Sequence, residues 1–529
     1  MRSSGIVFII IMCFIINWGY LNAQTEIKKS VTKKFIDSTV IFSIKPQKVL
    51  TNGSVTVEGR QINYKAIAGT TILKNDKDKP TCSMFYVAYI KSDVSDENNR
   101  PLTFIYNGGP GSSTIWLHMS AWGPRRTYLE DTERAKAPYK TVNNDYSLLD
   151  ASDLVFIDAP GTGFSRILTK DKGGVGKPED FYGIDRDANA FAQFITNFLS
   201  DYQRWDSPKY LFGESYGTFR SAALSHILET KDHVDLNGII LLSQILSIEN
   251  STDYVKENPG NDIAYVLALP SCAATAWYYH KIPDQPVILE PFLKEVEDFA
   301  MNEYAPALNK GSVLDKATFT QIADKLHQYT GLPVSYIRKA NLRITGYEFE
   351  KQLLSGDDLI TGRLDTRFPG FSMNPMGEYP LYDPQAAVIS SAISSTFNNY
   401  VRRTLNFDAG TNYKTSSPLW ETWDYRHHAV QQTFGDQHDN LFSNVIPDLA
   451  MAMIYNPKLK VMLNMGYFDL ATPYFEGIYE MHHLPIPVSL QKNISYAFYK
   501  SGHMVYLNPG SHKELHDNVA KFIKDTFNQ

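Results

Sequence analysis

Cysteine is scarce in this chain of 529 residues, which contains only Cys13, Cys82 and Cys272. A chain of this length can bury a large hydrophobic core, so it does not need a disulfide framework to fold. Cys13 belongs to an N-terminal apolar segment, and the other two cysteines are far apart in sequence. We expect Cys82 and Cys272 to be buried free thiols, and the sequence leaves one bridge between them open.

An excess of basic residues is also missing. The chain has 51 Lys+Arg against 57 Asp+Glu, for a formal charge of −6, and this balance does not favour a nucleic-acid partner. The sequence assigns no oligomeric state.

Apolar runs long enough to span a bilayer are absent as well. The apolar run 6–16 has eleven residues, whereas a transmembrane helix needs about 20. It follows Arg2 and precedes the small residue Ala23, the arrangement of a secretory signal peptide. We therefore predict a signal peptide over residues 1–23, cleaved after Ala23, and a secreted or periplasmic protein that keeps no stable membrane insertion. A membrane anchor is the alternative interpretation.

Short β-rich segments alternate with helical ones through much of the chain. Strands are predicted at 55–57, 61–65, 82–90, 102–106, 154–157, 238–242, 460–465 and 494–499. Apolar residues between 184 and 198 recur at helical spacing. Alternation of this kind predicts a mostly parallel sheet with helices on both faces, the α/β class.

The alternation stops between residues 244 and 445. This part contains helical stretches at 264–279, 289–302, 316–329 and 384–405, with polar loops and no evident buried strand. We predict an α/β core in two parts, 24–243 and 446–529, interrupted by a mainly helical lid over 244–445. The final helix is expected to begin at Ser511, with Glu514 completing a capping box.

The sequence Gly213-Glu214-Ser215-Tyr216-Gly217 has the pattern of a nucleophile elbow. In such an elbow a strand ends in a tight turn, the serine lies at its tip and a helix follows. An apolar segment precedes this pattern and a helical one follows it, as the motif requires. Ser215 is therefore the predicted nucleophile.

Two further polar residues follow predicted strands. Asp469 comes just after the strand at 460–465, and His503 comes just after the next strand. The order Ser215, Asp469, His503 is that of the catalytic triads of α/β hydrolases. In such a triad the serine attacks, the histidine transfers its proton and the aspartate orients the histidine, so the sequence predicts acyl transfer.

A glycine-rich loop, residues 107–113, follows the strand at 102–106. Backbone N–H groups in such a loop can stabilise a developing negative charge. A phosphate-binding loop is the alternative, but no Gly-Lys-Ser/Thr follows.

These stretches together resemble the serine carboxypeptidases. The similar motifs are residues 107–113, 158–165, 213–217, Asp469-x-x-Thr472-Pro473 and 502–505. The resemblance implies an α/β-hydrolase fold with an inserted lid, and removal of the C-terminal residue from a peptide with a free C-terminus. It implies an oxyanion hole made by the N–H groups of Gly109 and Tyr216. It also implies that Asn107, Gly108 and Glu214 hold the terminal carboxylate of the substrate. We expect no cofactor.

The chain departs from the family pattern at two positions. The family commonly has a second glutamate that shares a proton with the first, but Ala121 occupies the matching position here. Ser112 replaces a frequent cysteine, as in a disulfide-poor, bacterial-type member. We hypothesise that Arg125 or Arg126 contacts the substrate carboxylate instead. A structural arginine pair is the alternative.

Other residues and functions remain open at this point. An esterase or acyltransferase would use the same triad, and a non-catalytic binding protein could share the fold. No metal site is expected, because the adjacent histidines at 427–428 and 482–483 should point in different directions. Trp116, His118 and Trp122 are expected in the core rather than in a pocket. Trp420, Trp423 and Tyr425 are candidate substrate contacts.

Overall fold

The computed structural model describes residues 44–419, 422–428 and 443–527. The predicted signal peptide and Trp420 lie outside the described residues. Among the helices described, none has both the length and the apolar character needed to cross a bilayer.

The described residues form fourteen strands, numbered in chain order. They are β1 (Lys48–Val57), β2 (Arg60–Lys74), β3 (Pro80–Lys91), β4 (Leu102–Tyr106), β5 (Arg125–Thr127), β6 (Thr141–Asn143), β7 (Asp153–Ile157), β8 (Arg166–Ile167), β9 (Lys209–Glu214), β10 (Gly238–Leu242), β11 (Leu359–Thr361), β12 (Pro369–Phe371), β13 (Lys460–Gly466) and β14 (Ile494–Tyr499).

The α-helices follow the same order. They are α1 (Ile184–Asp201), α2 (Tyr216–Thr230), α3 (Ile263–Tyr278), α4 (Leu289–Phe299), α5 (Ala305–Asn309), α6 (Lys316–Thr330), α7 (Val334–Lys339), α8 (Gly346–Gln352), α9 (Pro384–Arg403), α10 (Ile446–Tyr455), α11 (Tyr474–His482), α12 (Val488–Gln491) and α13 (Pro509–Phe527). Two segments, Leu117–Trp122 and Ala300–Tyr304, are π-helical, and Val505–Leu507 is a 3₁₀ turn.

A large mixed sheet organises the chain. Its strand order is β1-β2-β3-β7-β4-β9-β10-β13-β14, with β8 paired to β3 outside this path. The strands from β7 to β14 pair in parallel, whereas β1, β2, β3 and β7 pair antiparallel. The α/β fold and the mostly parallel sheet predicted from the sequence are confirmed.

Helices cover both faces of this sheet. Alternate residues of β10 face opposite sides: Ile239 and Leu241 belong to one apolar cluster, and Ile240 and Leu242 to another. The first cluster includes apolar residues of α1, α2 and α10, and the second includes those of α13 and the segment Leu117–Trp122. Burial on both faces explains why the parallel strands are continuous apolar runs in the sequence.

The residues between β10 and β13 form helices α3 to α10 and a small antiparallel pair, β11–β12. The sequence predicted no buried strand there, and this expectation was wrong, because Ile360 and Thr361 of β11 are buried. A three-residue strand is too short to show the alternation on which strand prediction depends.

The final helix begins earlier than predicted. It starts at Pro509, and the side-chain oxygen of Asn508 accepts a hydrogen bond of 2.9 Å from the N–H of Ser511. Asn508 therefore caps the helix, and Ser511 lies buried inside its first turn. The expected cap at Ser511 was wrong because proline is favoured at the first helical position, which places the cap one residue before it.

Both cysteines in the described part of the chain, Cys82 and Cys272, are buried free thiols. This confirms the expectation from the sequence. Burial raises the pKa of each thiol well above its usual value, which makes both poor nucleophiles.

Candidate active site

Ser215 lies in a strained turn between β9 and α2. Its backbone has φ 61° and ψ −133°, a conformation that a non-glycine residue rarely adopts. The N–H of Ser215 donates to the carbonyl of Leu242 at 3.0 Å. The carbonyl of Ser215 accepts from both the N–H and the hydroxyl of Thr218, each at 2.7 Å. A Cβ on Gly213 would lie 2.2 Å from the carbonyl oxygen of Gly217, so the turn closes only with glycine there. This is the geometry of a nucleophile elbow.

Asp469 and His503 lie in the loops that follow the neighbouring strands β13 and β14. His503 Nδ1 is 2.8 Å from Asp469 Oδ2. The other carboxylate oxygen, Oδ1, accepts from the N–H groups of Ala471 at 2.8 Å and Thr472 at 3.0 Å. The hydroxyl of Thr472 donates to Oδ2 at 2.8 Å and lies 3.2 Å from His503 Nδ1. The aspartate is thus fixed and directed at the imidazole, as an orienting residue must be.

The charge of Asp469 prepares His503 to accept a proton. Burial alone would lower the pKa of His503, but the charge and hydrogen bond of Asp469 raise it above its usual value. The charge of Glu214 adds to this increase, and Arg363 opposes it. An imidazole whose pKa is raised in this way is a stronger base.

The backbone of His503 is held by two other parts of the chain. Its N–H donates to the carbonyl of Leu364 at 2.6 Å, and its carbonyl accepts from the hydroxyl of Ser243 at 2.6 Å. The preceding N–H, of Gly502, donates to Asp365 at 3.1 Å. Sequence reasoning missed these supports, because Leu364 and Asp365 lie in a loop of the region between β10 and β13 and carry no motif.

The glycine-rich loop lies directly against the turn at Ser215. A Cβ on Gly108 would be 2.4 Å from the nitrogen of Tyr216 and 2.5 Å from that of Gly217, so only glycine fits. Gly109 follows with φ +116°. This contact brings the Gly108–Gly109 peptide next to the N–H of Tyr216, which begins α2 and has no acceptor within its own helix.

Glu214 is buried beside Ser215 and has a partner that the sequence did not reveal. The hydroxyl of Tyr506 donates to its Oε2 at 2.9 Å. Burial raises the pKa of Glu214 to about 7, although His503, Tyr506 and the Asn107 side chain each act to lower it. Since Ala121 replaces the usual second glutamate, sequence reasoning left Glu214 without a partner. The tyrosine could not be found from sequence because its contact depends on how the turn Val505–Leu507 packs.

Arg125 and Arg126 lie on β5. Arg125 is within electrostatic reach of Tyr64 and Tyr400, and Arg126 is within reach of His512. No hydrogen bond or ion pair between described residues joins either arginine to Glu214 or Asn107. Their contact with a substrate therefore stays a prediction.

The aromatic residues near the glycine loop mostly belong to the core. His118 stacks on Phe156 with ring centroids 4.3 Å apart, and Trp122 packs against Phe212. Both are buried, as expected, whereas Trp116 is half-buried and donates to Ser112 at 2.9 Å.

Trp423 packs edge-on against Tyr216, with ring centroids 5.4 Å apart, and stacks on Tyr182. It therefore covers the residue after the nucleophile. Tyr425 is half-buried and packs against the same core.

His427 and His428 contact the same carboxylate, contrary to expectation. Their Nδ1 atoms lie 2.6 Å and 2.5 Å from the two oxygens of Asp185. His427 Nε2 is also 2.8 Å from Asp448. The expectation that these adjacent histidines point apart was wrong, because the loop that carries them turns both rings towards α1.

A segment defined by residues 411–419, which we call the overlying segment, crosses the glycine loop. The N–H of Ser417 donates to the carbonyl of Gly111 at 2.8 Å, and the N–H of Ser113 donates to the carbonyl of Thr415 at 3.0 Å. Lys414 pairs with Gly163 in the loop after β7. The overlying segment therefore fixes two loops at the carboxyl edge of the sheet.

The pheromone-processing carboxypeptidase KEX1 of Saccharomyces cerevisiae is 28% identical over 177 residues, which are 32% of this chain and 23% of the yeast protein. A carboxypeptidase Y homolog of Arthroderma benhamiae is 30% identical over 164 residues, 30% of this chain and 29% of that protein. The matched region thus spans less than a third of either relative.

The fold has a counterpart among solved structures. The crystal structure of a prohormone-processing carboxypeptidase from Saccharomyces cerevisiae, KEX1, superposes with a TM-score of 0.54 and 16% identity. The superposition covers 87% of this chain and 92% of that one. The similarity is one of fold. Residues 61–506 match the family model described as serine carboxypeptidase, which is most of the chain, and the protein therefore belongs to the serine carboxypeptidase family.

Proposed function

We propose that this protein is an exported serine carboxypeptidase that releases C-terminal residues from peptides through an acyl-enzyme. The observation that carries the proposal is the 2.8 Å contact between Asp469 and His503, beside a strained elbow that presents Ser215. Together with the glycine loop at the same edge of the sheet, these groups supply each role that acyl transfer requires.

The reaction begins when Ser215 Oγ attacks the carbonyl carbon of the scissile peptide bond. His503 accepts the serine proton, and Asp469 stabilises the imidazolium that forms. The N–H groups of Gly109 and Tyr216 donate to the oxyanion. His503 then gives the proton to the leaving amine, the C–N bond breaks and the terminal amino acid departs. Water repeats these steps on the ester and regenerates Ser215.

Selection of the last residue needs a group that recognises a free carboxylate. Glu214 is suited to this role because burial raises its pKa to about 7, so a large fraction of it is protonated near neutral pH and can donate a hydrogen bond. Asn107 and Gly108 lie on the loop that faces it, and we propose that they complete the contact. Arg125 and Arg126 remain candidates for an additional charge contact, and residues 244–445 are the proposed lid.

The decisive experiment is a digest of a peptide library read by mass spectrometry at both termini. We expect stepwise loss from the C-terminus only, blocked by an amidated C-terminus, and no loss with Ser215→Ala. Labelling of Ser215 by a fluorophosphonate checks the nucleophile independently. Hydrolysis of esters without release of C-terminal residues would show an esterase instead, and failure of both labelling and hydrolysis would show a binding protein.

Export is tested separately. We expect the mature protein, expressed in a host with a secretory pathway, to begin at Gln24. An intact N-terminus retained in the membrane fraction would contradict the signal peptide and support an anchor.

A further inference from the structure

The hydroxyl of Tyr506 keeps its proton at neutral pH and donates a hydrogen bond to Glu214. Tyr506 is buried, and burial and the neighbouring charge of Glu214 raise its pKa well above 10. Its hydrogen bond to Oε2 of Glu214 is 2.9 Å long. When Tyr506 donates to a protonated Glu214, Oε2 is the carbonyl oxygen, since a proton on Oε2 would face the phenol proton.

A carboxyl group can bind a carboxylate only when it carries a proton, because two carboxylates repel one another. The single proton of Glu214 must also lie on the oxygen that faces the substrate. We propose that Tyr506 is a positioning residue for the terminal carboxylate of the substrate: it occupies Oε2 of Glu214 and so places the proton on Oε1. This inference rests on the proposed function.

The position of Tyr506 supports this role. The turn Val505–Leu507 packs against the π-helical segment Leu117–Trp122, which contains Ala121. At the position of Ala121 the family commonly has the second glutamate. A tyrosine that approaches Glu214 from this turn supplies a fixed hydrogen-bond donor where a carboxyl pair would share a proton.

The charged and polar groups around Glu214 determine the pH at which it loses its proton. Burial and the charge of Asp469 raise its pKa, and His503, Tyr506 and Asn107 lower it. Burial and Glu214 raise the pKa of Tyr506, and a hydrogen bond with the side chain of Asn107 lowers it. Removing the phenol hydroxyl takes away one of the groups that lower the pKa of Glu214, so its pKa should rise.

The test is the pH dependence of kcat/KM for Tyr506→Phe, measured with a free-acid peptide and with the methyl ester of the same peptide. We expect the alkaline limit for the free acid to move up by about one pH unit, the size of a hydrogen bond to a charged group. The KM for the free acid below that limit should rise about tenfold, because the proton on Glu214 is no longer directed. The alkaline side of the profile for the ester should not move, because the ester has no free carboxylate for Glu214 to bind.

Two further variants separate this effect from a general structural one. Tyr210→Phe removes another buried tyrosine hydroxyl, which bonds Thr526 at 2.8 Å at the opposite end of β9, and should leave the limit in place. Glu214→Gln should abolish the alkaline limit for the free acid, and this expectation holds even if Tyr506→Phe does not fold.

The inference would be overturned if the alkaline limit for the free acid does not move in Tyr506→Phe, or if it persists in Glu214→Gln. Either result would leave the carboxypeptidase reaction intact. Absence of C-terminal release by the unaltered enzyme would instead refute the proposed function, and the role of Tyr506 with it.

Discussion

Arg220 donates a hydrogen bond of 2.8 Å from Nη1 to the backbone carbonyl of Asn107. It extends from α2, the helix that begins just after Ser215, to the loop that carries Gly109. The guanidinium also pairs with Asp187 at 2.6 Å and lies 4.3 Å from the ring centroid of Phe191. It therefore links the two proposed donors of the oxyanion hole through a single buried side chain.

Arg220→Lys should lower kcat by about 10–100-fold and should also raise KM, because the loop that Arg220 holds carries both Gly109 and Asn107. A lysine has no planar fork and cannot bind Asp187 and the Asn107 carbonyl together, so the glycine loop loses its position relative to Ser215. Steady-state kinetics on a blocked dipeptide measure this effect.

Arg204→Lys is the matched control. Arg204 is also buried and pairs with Asp153 at 2.8 Å, but it does so at the amino end of the parallel strands. This variant should lose stability without losing kcat. If the two variants have the same kcat, the role assigned to Arg220 is wrong.

Asp469→Asn should reduce kcat by about 10³–10⁴-fold, as expected when the orienting carboxylate of a triad is removed. It should also shift the acid limit of the rate profile. In the proposed mechanism, activity needs neutral His503 and is lost as pH falls through its pKa, which Asp469 raises above the usual value. Without that charge the acid limit should move to lower pH. A pH profile of kcat/KM tests this, and an unchanged limit would argue against His503 as the base.

Glu476→Gln should stabilise the protein at neutral pH by about 1–3 kcal/mol. Both carboxylate oxygens of Glu476 are buried without a hydrogen-bond partner among the described residues. Burial, with the charge of Glu480, raises its pKa well above the usual value. In the unfolded chain Glu476 ionises above about pH 4.5, and this ionisation opposes folding. The stabilisation produced by Glu476→Gln should therefore shrink as pH falls towards that value. Thermal unfolding from pH 4 to 8 measures it.

Glu480 is the control for this prediction, one turn further along α11. Its two oxygens accept from Gln244, Leu246, Ser247 and Asn250 at 2.8–3.2 Å. Glu480→Gln turns an amide group towards these donors and should destabilise the protein. Stabilisation by Glu480→Gln, or destabilisation by Glu476→Gln at pH 7, would contradict the conclusion that Glu476 is protonated in the folded protein at neutral pH.

His427→Gln should lower the free energy of unfolding by about 2–3 kcal/mol in mildly acidic solution. Burial alone would lower the pKa of His427, but hydrogen bonds and charges of Asp185 and Asp448 raise it to about 9. The folded-state pKa is thus above the unfolded value near 6.5. The stabilisation is complete below about pH 6.5 and is lost as pH rises through about 9.

The measurement is the midpoint of thermal unfolding of both proteins between pH 6 and 10. The two midpoints should converge at the alkaline end. His483→Gln, which changes an exposed histidine bonded to its own helix, should match the unaltered protein throughout. If the unfolding midpoints of His427→Gln and the unaltered protein differ by the same amount at every pH, the ion pairs of His427 do not contribute to stability.

The sequence was informative where a local pattern determines the structure. The elbow at Ser215 and the buried strands β4, β7 and β10 depend on neighbouring residues, so their positions could be predicted. The partners Asp365, Ser243 and Tyr506 could not, because they reach the site through packing between distant segments. The same limitation applies to Arg220. Its sequence position predicts only an arginine on a helix, and its contact with Asn107 depends on the packing of that helix against the glycine loop.

The overlying segment has a consequence for biosynthesis. Ser113 meets Thr415 across 302 positions of sequence, and Ser243 meets His503 across 260. Contacts of such separation form late, because the intervening chain must first be made and closed. On the ribosome, the elbow at Ser215 emerges well before residue 415 and before its base. In this order of synthesis the proposed triad cannot act until both Ser215 and His503 have been made and brought together.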